Sequence, residues 1–204
     1  MSRGWWTVLR LRGAPIRLHW SLPLGALVWS GFSFAPAFWL AFALLILVHE
    51  LGHALLVLRY GLGLSEVAVH GAGGYCRHER AGSRYEESAV AWGGVLAQLA
   101  LYVVVQLLVL ALGRPSSIHG AQALYVLTST NLWLIALNLI PIEPLDGAKA
   151  WPLIGMLLSR RRRRTVADEL RDITRVPTSS ESPDERTDRL VRELIARTTQ
   201  SKNR

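Results

Sequence analysis

The chain has 204 residues, half of them apolar, a mean hydropathy of +0.24, one cysteine and a formal net charge of +8. The single cysteine, Cys76, excludes an intramolecular disulfide framework, and hydrophobic residues that are clumped rather than periodic exclude an ordinary soluble domain of amphipathic elements. The positive charge falls on arginines grouped between apolar tracts, a placement that fits membrane topology and argues against a nucleic-acid partner.

In chain order, residues 1–17 read as a basic cytoplasmic lead, with Trp5 and Trp6 suited to the headgroup layer. Four apolar tracts follow, Leu18–Phe34, Ala37–Leu58, Ser88–Leu112 and Ala121–Ile140, each close to the roughly 20 residues that a helix needs to cross a bilayer. The first is read as a retained helix, because it starts well into the chain and no clear small-residue cleavage pattern follows it. Between the second and third, residues 61–87 are polar and glycine-rich. There Glu66 to His70 alternate like a short strand before a run of glycines, which predicts a small sheet at the cytoplasmic face. A fifth tract, Ala148–Leu158, is too short to span.

Arg3, Arg10, Arg12 and Arg17 precede the first tract, Arg59, Arg77, Arg80 and Arg84 separate the second and third, and Arg160 to Arg164 follow the last. The alternate connections carry only Arg114, so the positive-inside pattern predicts four spans with both termini cytoplasmic. The expected class is an all-α membrane protein of about four transmembrane helices, with a broken helix at its site and a small β-element in the cytoplasmic loop. The expected units are residues 1–17, a transmembrane domain over 18–158, and a charged tail over 159–204. In that tail Val166, Leu170 and Ile173 recur at helical spacing, 177–183 read as a linker, and Leu190, Val191, Leu194 and Ile195 stripe a final helix. The five arginines Arg160 to Arg164 read as a topology anchor.

Polar residues inside the second tract carry the chemistry. An ionisable side chain at the centre of a bilayer helix costs roughly 2.5–3.5 kcal/mol, so such groups persist where they serve a cavity or a site. His49-Glu50-Leu51-Gly52-His53 is HExxH. On a helix the two histidines project from one face and can hold a single zinc, with Glu50 beside it as base toward water. Catalytic zinc usually takes a third protein ligand. Near Asn138, prolines 141 and 144 break the helix beside two carboxylates, Glu143 and Asp146. Asp146 is preferred because Gly147 gives the backbone freedom to turn it inward; Glu143, between the prolines, remains the alternative.

HELGH in an apolar helix, followed about ninety residues later by NLIPIEPLDG, resembles the site-2 protease family of intramembrane zinc metalloproteases. Gly13 to Ser21 is similar to the family's lead-in to its first helix, and Gly93-Gly94-Val95-Leu96-Ala97-Gln98 to its small-residue motif, so that the resemblance covers about residues 13–158. It implies that His49, His53 and Asp146 bind one zinc ion, that Glu50 is the catalytic base, and that Asn138 positions substrate or hydrogen-bonds the transition state. Ala148 and Glu143 depart from the family pattern without removing a ligand.

The implied substrates are membrane proteins whose transmembrane helix unwinds locally, cleaved in regulated proteolysis, with the lipid bilayer as the surrounding partner. An edge strand over Val67–Tyr75 is expected to hold the unwound segment by strand addition. No PDZ domain fits between the spans, and no nucleotide-sensing module is expected after them. A metal-ion transporter using the same polar residues, or a non-catalytic membrane adaptor, are the other classes the pattern admits. Elsewhere His19 reads as an interfacial histidine, His70, Cys76 and His78 as solvated or structural, and His119 as lacking a partner. Gly93, Gly94 and Ala97 read as close-packing positions, with Gln98 more a packing residue than a site residue. Trp20, Trp39 and Trp151 are expected near interfaces, and Trp92 and Trp133 between packed helices.

Overall fold

The computed structural model describes residues 4–159 and 183–202. By contacts the chain divides into two units, Met1–Met156 and Leu157–Arg204. The run Arg160 to Arg164, the expected helical residues 166–173 and the linker lie outside the described residues, apart from Pro183.

The first unit begins with a hairpin of β1 (Trp5–Leu11) and β2 (Ala14–His19). Arg12 and Gly13 form its turn with φ of 48° and 93°, the left-handed pair that suits the twist of a two-residue hairpin loop. Here the structure departs from the expected lead and first span. Residues up to His19 are strand, and the helix that follows, α1 (Leu22–Trp29), has only eight residues. The apolar run of 18–34 was legible, but alternation of inner and outer side chains along 14–19 made its start a strand.

Helix α2 (Pro36–Arg59) opens on a proline in its first turn, where a missing N–H is harmless. After it, β3 (Leu64–His70) and β4 (Gly73–His78) form a second hairpin. The four strands make one sheet in the order β1-β2-β3-β4, with β2 parallel to β3 and the other pairs antiparallel. The parallel pair requires a crossover, which α1 and α2 supply. Ile16 and Val67, paired across β2 and β3, pack on Ala54 of α2 and fix the sheet against that helix. The small sheet expected in the loop is present and larger than expected. Because β3 is interior, the edge expected over Val67–Tyr75 is instead β4, Gly73–His78.

Helix α3 (Arg84–Leu112) starts with a capping box, Ser83 Oγ accepting from the Glu86 N–H at 3.3 Å and the Glu86 carboxylate from the Ser83 N–H at 2.7 Å. It meets α2 where Gly52 faces Gly93: a side chain at Gly93 would stand 2.5 Å from the Gly52 carbonyl oxygen. On its other side Leu96, Leu99, Val103, Leu107 and Leu110 form an exposed apolar stripe, the face a helix presents to hydrocarbon. Helices α2 and α3 are long and apolar enough to cross a membrane, with mean hydropathies of 2.1 and 2.5.

The third apolar run of the structure is α4 (Ile118–Tyr125), a π-helical turn over Val126–Thr130 and α5 (Asn131–Asn138). An irregular segment carries the chain to α6 (Gly147–Ala150), and residues 152–159 are again helical. In the second unit Pro183–Lys202 is a helix on which Val191, Leu194 and Ile195 lie on one side, as their spacing predicts.

Candidate metal centre

Helical spacing sets His49 and His53 one turn apart on the inner face of α2, both buried, with their rings 4.6 Å apart. The partners behind them define their protonation. His53 Nδ1 lies 2.7 Å from the Val90 carbonyl oxygen, which can only accept, so Nδ1 carries the proton and donates it. His49 Nδ1 likewise donates to the Gln98 amide oxygen at 3.0 Å. Each imidazole is thereby left with an unprotonated Nε2 pointing into the site, and the two Nε2 atoms stand 3.0 Å apart.

Asp146 Oδ2 completes the convergence at 3.0 Å from His49 Nε2 and 3.3 Å from His53 Nε2. That oxygen is buried and has no hydrogen-bond donor. Two lone pairs and a carboxylate oxygen brought together without a proton between them repel one another, and a cation relieves the repulsion. The three ligand atoms lie within 4.8 Å of one another, the one such cluster among the described residues, and two imidazoles with a carboxylate form a donor set that zinc accepts. Backing of each histidine by a fixed acceptor is the arrangement that orients metal ligands.

Asp146 occupies the N-cap position of α6 yet makes no capping hydrogen bond, because its side chain is turned to the histidines. Gly147 serves this placement by size rather than by flexibility. Its φ is not positive, and a side chain there would stand 2.5 Å from the Leu139 carbonyl. Glu143 is exposed and away from the cluster.

Glu50 is 4% exposed and faces β4, where a side chain at Gly74 would stand 2.5 Å from Glu50 Oε1. Gly94 on α3 has a comparable role: a Cβ there would lie 2.5 Å from His49 Cε1 and from His53 Nε2. A cavity of about 570 Å³ joins these groups, lined by the three converging residues, Glu50, Asn138, the β4 edge, and the apolar Trp29, Phe42, Ile46 and Leu134. Such a volume suits a short peptide segment.

Two residues matter more here than their sequence suggested. Gln98, read mainly as packing, orients His49, and Asn131 braces Gln98 by donating to its main-chain carbonyl at 3.0 Å. A buried amide on the same apolar face as Gly94, one turn on, was the available signal for Gln98; nothing in sequence pointed to Asn131. Gly94, read as a helix-packing position, packs on the imidazoles. Trp133, expected between helices, is 72% exposed. His19 bonds Ser21 Oγ at 2.7 Å and lies with its ring 4.6 Å from that of Trp5, tilted by 49°, while His78 donates to the Arg80 carbonyl at 2.8 Å.

A buried pair of histidines on one apolar helix, met by an aspartate from a broken segment beside a glutamate, defines a class: helical proteins of membrane type with an internal metal-binding cluster. No family model matches the chain. It is 28% identical over 160 residues to a zinc metalloprotease of Methanocaldococcus jannaschii, a match covering 76% of this chain and 45% of that protein. It is 35% identical over 124 residues to stage IV sporulation protein FB of Bacillus subtilis, covering 60% of this chain and 40% of that protein. The chain thus spans less than half the length of these curated relatives. Its fold is similar to that of a site-2 protease from Methanocaldococcus jannaschii, with a TM-score of 0.58, 25% identity, and coverage of 76% of this chain and 72% of that one. In sequence the chain is thus similar to a zinc metalloprotease, and in sequence and fold to a site-2 protease.

Proposed function

We propose that this chain is an intramembrane zinc metalloprotease that hydrolyses peptide bonds in or near transmembrane segments of membrane proteins, in regulated proteolysis. The observation that carries the reading is the meeting of His49 Nε2, His53 Nε2 and Asp146 Oδ2 in a cavity that Glu50 also lines. His49, His53 and Asp146 would hold the zinc. When bound, the metal supplies a Lewis acid that polarises the scissile carbonyl and acidifies water. Glu50 takes the proton from the attacking water on a carboxylate oxygen and passes it to the leaving amine. Asn138, on the cavity wall, offers an amide to hydrogen-bond the substrate main chain.

A peptide bond within an intact helix is hydrogen-bonded and shielded, so the substrate must be locally extended before it reaches Glu50. β4 is a sheet edge lying on the cavity beside Glu50, and an extended segment added to it would be held next to the catalytic groups. Single cysteines through 73–78 should crosslink to a bound substrate; a scan with no contact there would remove strand addition.

The membrane is crossed four times in this reading, with both termini cytoplasmic. Support comes from the sheet: β2 pairs with β3, and Ile16 and Val67 pack on Ala54 in the C-terminal half of α2, so both segments lie along that half of the helix. Residues 20–35, which include α1, then return the chain to the start of α2 at Pro36. Residues 18–158 then form the protease domain, 1–17 a basic lead that also supplies β1, and 159–204 a cytoplasmic tail. Purified protein incubated with single-span membrane substrates tests the activity. Cleavage that is abolished in Glu50→Gln is expected; cleavage that survives it contradicts the mechanism, and metal flux lost in the same variant would favour transport.

A further inference from the structure

The histidines of the cluster sit on a straight helix, whereas Asp146 sits on irregular chain, so something must hold that carboxylate in register. Between residues 139 and 151 the main-chain hydrogen bonds are local, such as Ile142 N–H to Ile140 at 2.8 Å, Leu145 N–H to Ile142 at 2.9 Å and Ala150 N–H to Asp146 at 2.8 Å. They shape the segment but do not anchor it. Two indoles do. Trp151 donates its Nε1–H to the Leu139 carbonyl at 2.7 Å, joining the two ends of the segment that contains Asp146. Trp92 donates from α3 to the Ala150 carbonyl at 2.9 Å, across 58 residues of sequence. The two rings meet edge to face, 6.0 Å apart at 77°.

We propose that Trp92 and Trp151 form a clamp that positions Asp146 opposite His49 and His53 and so sets the affinity of the metal centre. Helix α3 then references both halves of the ligand set, since Trp92 lies two residues from Val90, whose carbonyl fixes His53. The Leu139 carbonyl is one that the end of α5 and Pro141 leave without a helical partner, which gives the Trp151 bond a second function. The proposal rests on the zinc reading above. Loss of a partner that orients a metal ligand weakens binding about 10- to 100-fold, and the clamp belongs in that range.

Trp92→Phe and Trp151→Phe keep a ring and remove the N–H, and exposed Trp133→Phe is the control. The full-length chain in detergent is titrated with zinc against a competing chelator, and the visible bands of its cobalt form are recorded. Each clamp variant should bind zinc at least about tenfold more weakly and shift the cobalt bands, while the metal-free protein still unfolds in one cooperative transition, its midpoint lowered by no more than the loss of one hydrogen bond explains. The effect should vanish when either substitution is added to Asp146→Ala, because the clamp acts through that carboxylate. The two single variants report independently, so one suffices if the other does not fold. Clamp variants within about twofold of the parent, or a loss that persists undiminished in Asp146→Ala, would overturn the clamp alone. A parent that takes up no zinc, or an Asp146→Ala protein that binds as tightly as the parent, would overturn the metal reading and the clamp with it.

Discussion

His53 keeps its proton on Nδ1 because Val90 offers only a carbonyl oxygen, and that one constraint leaves Nε2 with a lone pair available to a metal ion. With Gln98 imposing the same on His49, the cluster is preset for a cation before any arrives. Gln98→Leu therefore removes the acceptor behind His49, and zinc affinity by chelator competition should fall about 10- to 100-fold; an unchanged affinity would contradict the role of the amide. Glu50→Gln belongs to a different step. It should keep the metal content of the parent while lowering turnover about 10²- to 10⁴-fold. Cys76 provides a check on the inner face of the sheet. Burial, with the Glu50 carboxylate nearby, pushes its thiol up to about 12, so the thiolate is scarce at pH 8. Iodoacetamide should label it far more slowly than an unfolded control, and fast labelling at pH 8 would contradict the buried setting. At this scale the sequence was informative where chemistry follows spacing: His49, Glu50 and His53 were legible because helical geometry alone puts them together. Asp146 was preferred to Glu143 first on the freedom expected of Gly147 and then by resemblance, since the turn of an irregular backbone depends on what packs against it. Gln98 and Asn131 were not legible as a relay, because their contacts arise only where α3 crosses α2 and α5.

Among the elements, α3 is the reference frame, carrying Val90, Trp92, Gly94 and Gln98 within nine residues. Gly94→Ala would put a methyl group into both imidazoles, and zinc binding should be lost while the helical circular dichroism is retained. Full zinc occupancy in that variant would mean that the helices do not approach as closely as described. The edge strand has the corresponding point at Gly74. Gly74→Val should displace the Glu50 carboxylate and abolish cleavage with zinc content unchanged. Helices α2 and α3 were readable as uninterrupted apolar runs, and the β3–β4 hairpin as alternation followed by glycines. The N-terminal hairpin was missed because its arginines and tryptophans fit an interfacial lead equally well. Its turn depends on Arg12 adopting a left-handed conformation, which that residue type does not advertise. The shortness of α1 has two causes: a strand takes Leu18 and His19, and the left-handed Gly31 and Phe32 form a turn that ends the helix after Trp29.

For the whole molecule, a sheet that joins residues 5–19 to 64–78 ties the start of the chain to the connection between α2 and α3, and the proposed topology puts both on one side of the membrane. Cysteines introduced at Ser33 and Ser116 should react with a membrane-impermeant maleimide on intact cells, and one at Ala81 only after permeabilisation. Labelling of the Ala81 variant from outside would invert the proposed topology. The proposed arrangement rests on the charge asymmetry of the arginine positions, whereas the depth and shape of the cavity depend on how α2, α3, β4 and the Asp146 segment pack. The central claim is that residues separated by about ninety positions hold one metal ion together. Elemental analysis of the purified chain beside its His53→Ala and Asp146→Ala variants tests it most directly. About one zinc per chain in the parent and a near-complete loss in both variants is the predicted result; a parent without zinc, or an Asp146→Ala protein that retains its full complement, would contradict it.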